Sequence, residues 1–198
     1  ATAAVQGFGN VGSFTVKNVQ GLGAKVAAVA EKDDQEGTYA IYNRDGLDFD
    51  DLYDYYYTQG NRSFINYPKG EIISMDEFWE LEIDLMIPAA LENVITGEVA
   101  ERLRAKLVCE AANGPTTPDG DEVLERRGIQ LTPDILTNFG GVTVSYFEWV
   151  QNLYGYYWDE AEIVEKQEVE MVKAFNNVWK IKEEYGVSLR RAAYLYSV

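Results

Sequence analysis

Short apolar runs alternate with amphipathic stretches along the chain, which predicts strands that alternate with helices. Residues 2–6 and 25–31 are apolar through their centres and are followed by glycine-rich or polar turns. A continuous apolar run of this kind is typical of a parallel strand that is covered on both faces. Residues 83–87, stopped by Pro88, and residues 107–111 repeat the pattern. We therefore expect these four segments to lie in one sheet.

Amphipathic segments between these runs predict helices. Ser74 with Glu77 forms a capping box, and Thr96 is a suitable helix cap. The predicted helices cover residues 11–20, 48–58, 96–105, 121–127 and 159–184, and a further short strand is predicted at 130–131. This alternation predicts an α/β fold with a doubly wound, mostly parallel, Rossmann-like sheet and a helical C-terminal section.

Composition and charge narrow the chemistry. The 198 residues are 46% hydrophobic, which suits one domain with a packed core across residues 1–198. The net charge of −16 repels phosphate backbones, so we expect no nucleic-acid partner. With no histidine and one cysteine, the chain lacks the residues for a histidine-dependent triad, a histidine or cysteine-cluster metal site, or a disulfide framework.

The two ends of the chain predict an origin. There is no initiator Met, no signal-peptide pattern and no apolar run near the roughly 18 residues that a membrane span needs. We therefore expect a cytoplasmic protein without a membrane partner. The chain begins within an apolar run and closes on a helical pattern without a stop signal, which predicts an excised domain.

Gly7, Gly9 and Gly12 form a G-x-G-x-x-G motif between a predicted strand and a predicted helix. In that context Gly7 permits a tight turn, Gly9 lets the backbone approach a pyrophosphate, and Gly12 lets the helix pack closely on the strand. The N–H groups at the start of the helix can then bind phosphate oxygens. The motif predicts dinucleotide binding, and the alternative is an ordinary strand–helix turn.

Glu31 ends the second predicted strand, at about the 20-residue distance from the motif that dinucleotide-binding folds use. Its carboxylate can accept hydrogen bonds from the hydroxyls of the adenine ribose. Because a 2′-phosphate would face Glu31 with Asp33 and Asp34 nearby, the sequence favours NAD over NADP. The alternative is a solvent-exposed acid at a strand end.

Small and amide side chains follow the other strands, where open α/β sheets bind ligands. Ala89 and Ala90 leave room for a flat ring. Asn113 can bind an amide or a ribose, or form a turn before Gly-Pro. Asn138 can pair with a nicotinamide carboxamide or cap a helix. Cys109 lies within a predicted strand, which favours an inert buried residue over a nucleophile.

Four tyrosines stand close together in the helix predicted at residues 48–58. Tyr53, Tyr55, Tyr56 and Tyr57 form more aromatic surface than an exposed helix usually carries. Two interpretations stay open: the tyrosines pack on the sheet, or they form a contact surface.

Four segments in order resemble the nucleotide-binding domain of the glutamate dehydrogenases, within the glutamate/leucine/phenylalanine/valine dehydrogenase superfamily. They are VQGFGNVG at residues 5–12, PAALEN at 88–93, EAANGPTT at 110–117, and GGV at 140–142 followed by Ser145. The resemblance covers essentially the whole chain. The Asn-Gly-Pro-Thr-Thr run and residues 145–152 favour the glutamate branch.

The resemblance implies NAD as the cofactor and a set of site residues, with no metal ligand and no catalytic residue among them. Glycine-loop residues would hold the pyrophosphate, Glu31 the adenine ribose, and the two asparagines would lie beside the nicotinamide. The implied cofactor-binding residues are Gly7, Phe8, Gly9, Asn10, Val11, Gly12, Glu31, Ala89, Ala90, Asn113 and Asn138; Val142 and Ser145 match positions of the glutamate pocket.

The resemblance also implies an activity that this chain cannot perform by itself. Family members deaminate glutamate oxidatively to 2-oxoglutarate and ammonia, with hydride transfer to NAD(P). In the family an N-terminal substrate domain carries the catalytic lysine and aspartate and most contacts of a homo-hexamer. No Gly-Gly-x-Lys segment of that domain occurs here. We expect this chain to be monomeric, to bind NAD, to meet glutamate or 2-oxoglutarate only with the missing domain, and to be catalytically silent.

Phe139 stands where the family has Ala or Ser, so its ring can crowd the nicotinamide or seal an exposed surface. Two further interpretations of the whole chain stay open. It is an active enzyme, through a separate substrate-domain chain or different chemistry, or it is a redesigned Rossmann-like scaffold without strong cofactor binding.

Overall fold

A seven-stranded sheet organises the first part of the chain in the computed structural model, which describes residues 1–198. The strands are β1 (Thr2–Gln6), β2 (Lys25–Asp33), β3 (Gly37–Tyr42), β4 (Glu71–Ile73), β5 (Leu85–Pro88), β6 (Leu107–Cys109) and β7 (Gln130–Thr132). Their order in the sheet is β4-β3-β2-β1-β5-β6-β7. β1 pairs in parallel with β2 and β5, and β5 pairs in parallel with β6. The predicted α/β fold with a mostly parallel sheet is confirmed.

Two strands were not predicted from the sequence. β3 pairs antiparallel with β2, and β4 pairs antiparallel with β3. The turn between β2 and β3 is closed by the carboxylate of Asp33, which accepts hydrogen bonds from the N–H groups of Gln35 and Glu36 at 2.8 and 3.1 Å. β4 has only three residues, too few for a periodic pattern to identify.

Five α-helices belong to the same part of the chain. They are α1 (Asn10–Gly21), α2 (Phe49–Tyr53), α3 (Met75–Trp79), α4 (Gly97–Arg102) and α5 (Pro118–Arg127). The predicted capping box is confirmed, because the Ser74 and Glu77 N–H groups each donate to the other residue's side chain. The helix predicted at 48–58 is confirmed only in part: α2 ends at Tyr53, and residues Asp54–Thr58 form a π-helical turn.

The central strands are buried as a parallel sheet requires. In β1 every residue after Thr2 is buried, and in β2 the residues from Val26 to Ala30 are buried without interruption. Phe8 and Phe64 belong to the same core, and Cys109 packs partly buried against it. The burial matches the continuous apolar runs in the sequence.

The chain divides into two compact units, Ala1–Gln130 and Leu131–Val198. The second is helical and consists of α6 (Asp134–Thr137), α7 (Gly140–Tyr154), α8 (Glu160–Tyr185) and α9 (Leu189–Ser197). α8 confirms the long predicted helix, with Asp159 accepting the Glu162 N–H at 2.8 Å as its cap. The core of this unit contains Leu136, Val178, Leu189, Ala192 and Ala193. None of the helices combines the length and apolar character needed to cross a membrane.

Candidate cofactor-binding site

The connection between β1 and α1 is a tight turn built on Gly7. Gly7 has a φ of 100°, in the left-handed region that favours glycine, and its N–H donates to the Ala30 carbonyl at 2.7 Å. A Cβ added at Gly7 would lie 2.9 Å from the Cβ of Ala90. The turn therefore needs glycine for its conformation and for the close approach of the chain after β5.

The other two glycines of the motif serve different purposes. A Cβ added at Gly12 would lie 1.9 Å from the carbonyl oxygen of Gly7. The sequence predicts a close approach of Gly12 to the strand, whereas the structure shows that the close approach is to the turn itself. A Cβ added at Gly9 would meet no protein atom within 4 Å. Packing within the protein therefore does not require glycine at this position; in dinucleotide-binding folds, the middle glycine of the motif lets the backbone approach a pyrophosphate.

The start of α1 differs from the starts of the other helices in its unit. α1 has no side-chain cap and no acidic residue in its first turn, and Val11 is 52% exposed there. Each of the other four has a side-chain cap, from Asp48, Ser74, Thr96 or Thr117, and an acid in the first turn. The first N–H groups of α1, at the positive end of the helix dipole, are therefore suited to an anionic ligand.

Glu31 lies beside this turn. Its Oε2 accepts a hydrogen bond from the Phe8 N–H at 2.6 Å, and its Oε1 accepts one from the Lys32 N–H at 2.9 Å. An ionised carboxylate has about four acceptor positions, so both oxygens can accept further hydrogen bonds from hydroxyl groups. The arrangement links the acidic residue singled out from the sequence to the glycine motif.

Phe8 contributes to the turn from inside the protein. Its ring is fully buried, with ring-centroid distances of 5.1 Å to Phe64 and 5.5 Å to Tyr56. Its carbonyl accepts a hydrogen bond from the Tyr57 hydroxyl at 2.7 Å. Because the Phe8 N–H is bonded to Glu31, both backbone polar groups of Phe8 are used within the protein, and Phe8 supports the turn.

The tyrosine cluster packs on the core. Tyr55, Tyr56 and Tyr57 lie against the buried residues of the first unit, whereas Tyr53 is 39% exposed. Burial raises the pKa of Tyr56 to about 12, and the negative charge of Glu31 adds to the rise. The Tyr56 hydroxyl therefore stays protonated at neutral pH. For Tyr55, Tyr56 and Tyr57 the packing interpretation is confirmed.

The ends of β1, β5 and β6 meet at the same edge of the sheet. The Ala89 N–H donates to the Gln6 carbonyl at 2.8 Å, and the Ala112 N–H donates to the Pro88 carbonyl at 2.8 Å. Ala89 is buried, and Asn113 is exposed just beyond the end of β6. The structure thus brings the glycine turn, Glu31 and the Ala89 segment together, with Asn113 following the neighbouring strand.

Gln6 is a residue of this edge that the sequence had not singled out. It is only 6% exposed, and its side-chain Oε1 has no hydrogen-bond partner within the protein. A buried acceptor without a donor costs about 1–3 kcal/mol, so this atom favours a hydrogen bond from outside the chain. The available signal was a polar residue that ends an otherwise apolar strand.

The remaining implied site residues belong to the second unit. Asn138 ends α6 and is partly buried. Val142 is 67% exposed in the first turn of α7, and the exposed Ser145 donates its hydroxyl to the Gly141 carbonyl at 3.1 Å. Three positions apart on one helix, Val142 and Ser145 lie on the same face. The ring of Phe139 packs against the core of this unit.

Comparison with known proteins gives one family. The model of the family described as Glutamate/Leucine/Phenylalanine/Valine dehydrogenase matches residues 1–198. The chain is 62% identical to the NAD-specific glutamate dehydrogenase of Clostridioides difficile, covering 100% of this chain and 47% of that protein. It is 51% identical to the glutamate dehydrogenase of Thermotoga maritima, covering 100% and 46%. The chain therefore spans about half the length of the curated relatives that it matches.

Solved structures agree with the sequence comparison. A crystal structure of glutamate dehydrogenase from Peptoniphilus asaccharolyticus matches with a TM-score of 0.84 and 56% identity, over 99% of this chain and 44% of that one. The hetero-hexameric glutamate dehydrogenase of Thermus thermophilus, in a leucine-bound form, matches with a TM-score of 0.87 and 30% identity, over 98% and 44%.

Proposed function

The chain belongs to the glutamate/leucine/phenylalanine/valine dehydrogenase family, and on that premise we propose that residues 1–198 are the NAD-binding domain of an NAD-dependent glutamate dehydrogenase. The observation that carries the proposal is the glycine turn before α1, where a helix start without a side-chain cap or an acid adjoins Glu31. In this proposal the N–H groups at Gly9 to Gly12 bind the pyrophosphate, and Glu31 binds the adenine ribose.

The proposed site resolves an electrostatic conflict locally. The chain carries a net charge of −16, and a dinucleotide is also anionic. The first turn of α1 contains no acid, so backbone N–H groups and the helix dipole meet the phosphates there. Ala89 and Ala90 would line the cofactor path, and Asn113 would lie near the nicotinamide. For Asn138, in the second unit, the nicotinamide contact is what the family resemblance implies.

Preference for NAD over NADP follows from Glu31. A 2′-phosphate at the adenine ribose would lie next to this carboxylate, and like charges at short range repel. The relatives from Clostridioides difficile and Peptoniphilus asaccharolyticus are named NAD-specific, which supports the same preference.

In the complete enzyme the domain would take part in the oxidative deamination of glutamate to 2-oxoglutarate and ammonia. When bound, NAD⁺ supplies the hydride acceptor. Val142 and Ser145 would contribute to the substrate pocket, and the complete protein would be a cytoplasmic homo-hexamer. We propose that the 198-residue chain alone is a catalytically silent monomer, because hydride transfer needs both reactants held about 3–3.5 Å apart.

Two measurements on the 198-residue chain test the proposal. Calorimetric titration with NAD⁺ should give a saturable heat, and a thermal shift should accompany it. No heat and no shift at millimolar NAD⁺ would overturn cofactor binding and favour a scaffold that uses the fold for stability alone. In an assay with glutamate and NAD⁺, absorbance of NADH should stay at background, and turnover above background would contradict catalytic silence.

A further inference from the structure

The proposed pyrophosphate-binding turn is held in place by two hydrogen bonds to the backbone of Phe8. The N–H of Phe8 donates to Glu31 Oε2 at 2.6 Å, and the carbonyl of Phe8 accepts the Tyr57 hydroxyl at 2.7 Å. The ring of Phe8 is fully buried. Glu31 belongs to the residues implied to bind the cofactor, whereas Tyr57 has no assigned part in that site.

The Tyr57 contact also sets the direction of the Gly9 N–H, because the Phe8 carbonyl and the Gly9 N–H belong to the same peptide plane. A trans peptide is planar, so the carbonyl of Phe8 and the N–H of Gly9 point in opposite directions. A donor that holds the carbonyl on the protein side therefore fixes the N–H on the other side. The Gly9 N–H donates no hydrogen bond within the chain, and a Cβ added at Gly9 would meet no protein atom.

We propose that Tyr57 is a positioning residue for the cofactor: its hydroxyl holds the Phe8 carbonyl and thereby directs the Gly9 N–H at the pyrophosphate. The inference rests on the function proposed above. Tyr57 acts through Phe8 and need not touch the ligand.

The ring of Tyr57 is itself held in place. It lies 4.8 Å from the Tyr53 ring and 4.9 Å from the Tyr56 ring, centroid to centroid. The guanidinium carbon of Arg62 lies 4.6 Å from its centroid, close enough for a cation–π interaction. Arg62 has a φ of 55°, which costs a non-glycine residue energy and persists where surrounding contacts compensate for it.

The π-helical turn is the local feature that delivers Tyr57. Residues Asp54–Thr58 depart from the α-helical ladder, and turns of this kind are frequent at functional sites. The rings of both Tyr56 and Tyr57 lie within about 6 Å of the Phe8 ring, at 5.5 and 6.1 Å. Of the two, Tyr57 donates to the Phe8 carbonyl.

The matched variants are Tyr57→Phe and Tyr55→Phe. Both remove one hydroxyl from the same aromatic cluster, but Tyr55 makes ring contacts to Phe64 and Tyr67 and its hydroxyl makes no hydrogen bond to the turn. Each variant is titrated with NAD⁺ and with adenosine, which lacks the phosphates. Tyr57→Phe should weaken the binding of NAD⁺ by about 2- to 10-fold, the range expected for the loss of a single hydrogen bond, and leave the binding of adenosine unchanged. Tyr55→Phe should change neither.

A second measurement needs no ligand. In the ligand-free chain, Tyr57→Phe should shift and broaden the ¹H–¹⁵N resonance of Gly9, and Tyr55→Phe should leave it in place. If Gly9 responds to neither variant, or if NAD⁺ and adenosine weaken equally, Tyr57 is not a positioning residue. If the unchanged chain does not bind NAD⁺, the proposed function fails, while the Gly9 resonance still decides whether Tyr57 orients the turn.

A variant that spares the hydroxyl covers the case in which Tyr57→Phe fails to fold. Arg62→Ala removes the cation above the Tyr57 ring and leaves the hydrogen bond possible. Like Tyr57→Phe, it should weaken the binding of NAD⁺, by no more than about threefold, and leave the binding of adenosine unchanged. An equal loss for both ligands would overturn the inference.

Discussion

The strands β1, β5 and β6 have paired polar groups at their amino-terminal ends, here called the amino edge, and unpaired polar groups at their carboxyl-terminal ends, the carboxyl edge. At the amino edge, Asp84 accepts hydrogen bonds from the Thr2 N–H and the Lys106 ammonium group, both at 2.7 Å. At the carboxyl edge, the Gly9 N–H and the Gln6 Oε1 have no partner within the protein. One edge is closed by its own side chains, and the other is left to interact with something else.

Under the proposed function, the difference assigns the anion-binding capacity of this acidic protein to the carboxyl edge. Paired charges at the amino edge contribute to stability, because each polar group already has its partner. The carboxyl edge keeps N–H donors, a turn of glycines and small side chains, which is where open α/β sheets bind their ligands. A substitution at the amino edge should therefore change stability and leave cofactor affinity unchanged, whereas substitutions at the carboxyl edge reach residues of the proposed cofactor site.

The largest expected effect is on stability, at the carboxyl edge itself. Gly12→Ala places a Cβ 1.9 Å from the Gly7 carbonyl oxygen. Because the backbone holds both atoms, no side-chain movement can relieve this clash. The free energy of unfolding should fall by about 3 kcal/mol or more, measured by urea denaturation. Gly21→Ala, at the other end of α1, is the control, because a Cβ there meets nothing within 4 Å and should change stability by no more than about 1 kcal/mol. Equal stabilities for the two variants would contradict the assignment of Gly12.

Removing the acid beside the turn should change affinity and specificity. Glu31→Ala should weaken NAD⁺ by about 10- to 100-fold, the range of a lost charge-assisted hydrogen bond, and improve NADP⁺ relative to NAD⁺. Glu31→Gln keeps an acceptor for the Phe8 N–H and removes the charge, so it should shift the preference with a smaller loss of affinity. Titrations with both cofactors measure the ratio, and a preference that does not move would show that Glu31 is not the ribose ligand.

An acid introduced at the start of α1 would make this helix resemble the others in its unit. Val11→Asp should weaken NAD⁺ by about tenfold, through repulsion of the pyrophosphate. The same change should raise the free energy of unfolding by about 0.3–1 kcal/mol, through the helix dipole. Val11→Asn is the control, because Asn has nearly the same shape as Asp but no charge, and it separates the effect of the charge from the effect of the new side-chain shape. Opposite signs for affinity and stability are the expected signature, and weaker stability together with unchanged affinity would count against it.

The smallest effect belongs to the amino edge and depends on pH. Hydrogen bonds from Lys106 and the Thr2 N–H lower the pKa of Asp84 to about 2. Because the folded-state pKa is below the unfolded one, this stabilisation is present above about pH 4 and is lost as the pH falls towards 2. The Tm difference between the unchanged chain and Asp84→Asn should therefore shrink over that window. NAD⁺ affinity at pH 7 should be the same for both, and a Tm difference independent of pH would refute the role of Asp84.

Local patterns were enough for the parallel strands and the elements around the site. The apolar run of residues 25–31 matches most of β2, and the spacing from Gly7 to Glu31 placed the acid beside the turn. β3 was missed although only a short turn separates it from β2, whereas β4 was missed because it has three residues and its pairing with β3 depends on long-range register, which short segments do not encode. The π-helical turn was missed because its sequence is compatible with an uninterrupted α-helix.

By itself the sequence determined the α/β alternation, the need for glycine at the turn and the family to which the chain belongs, since each depends on residue types at fixed spacing. Only the tertiary structure decided that Gly12 packs against Gly7, that the Gln6 Oε1 is left without a partner, and that Tyr57 reaches the Phe8 carbonyl. Tyr57 and Phe8 are far apart along the chain, and packing of the aromatic core brings them together. Contacts of that kind have no spacing rule, because the path of the intervening chain sets them.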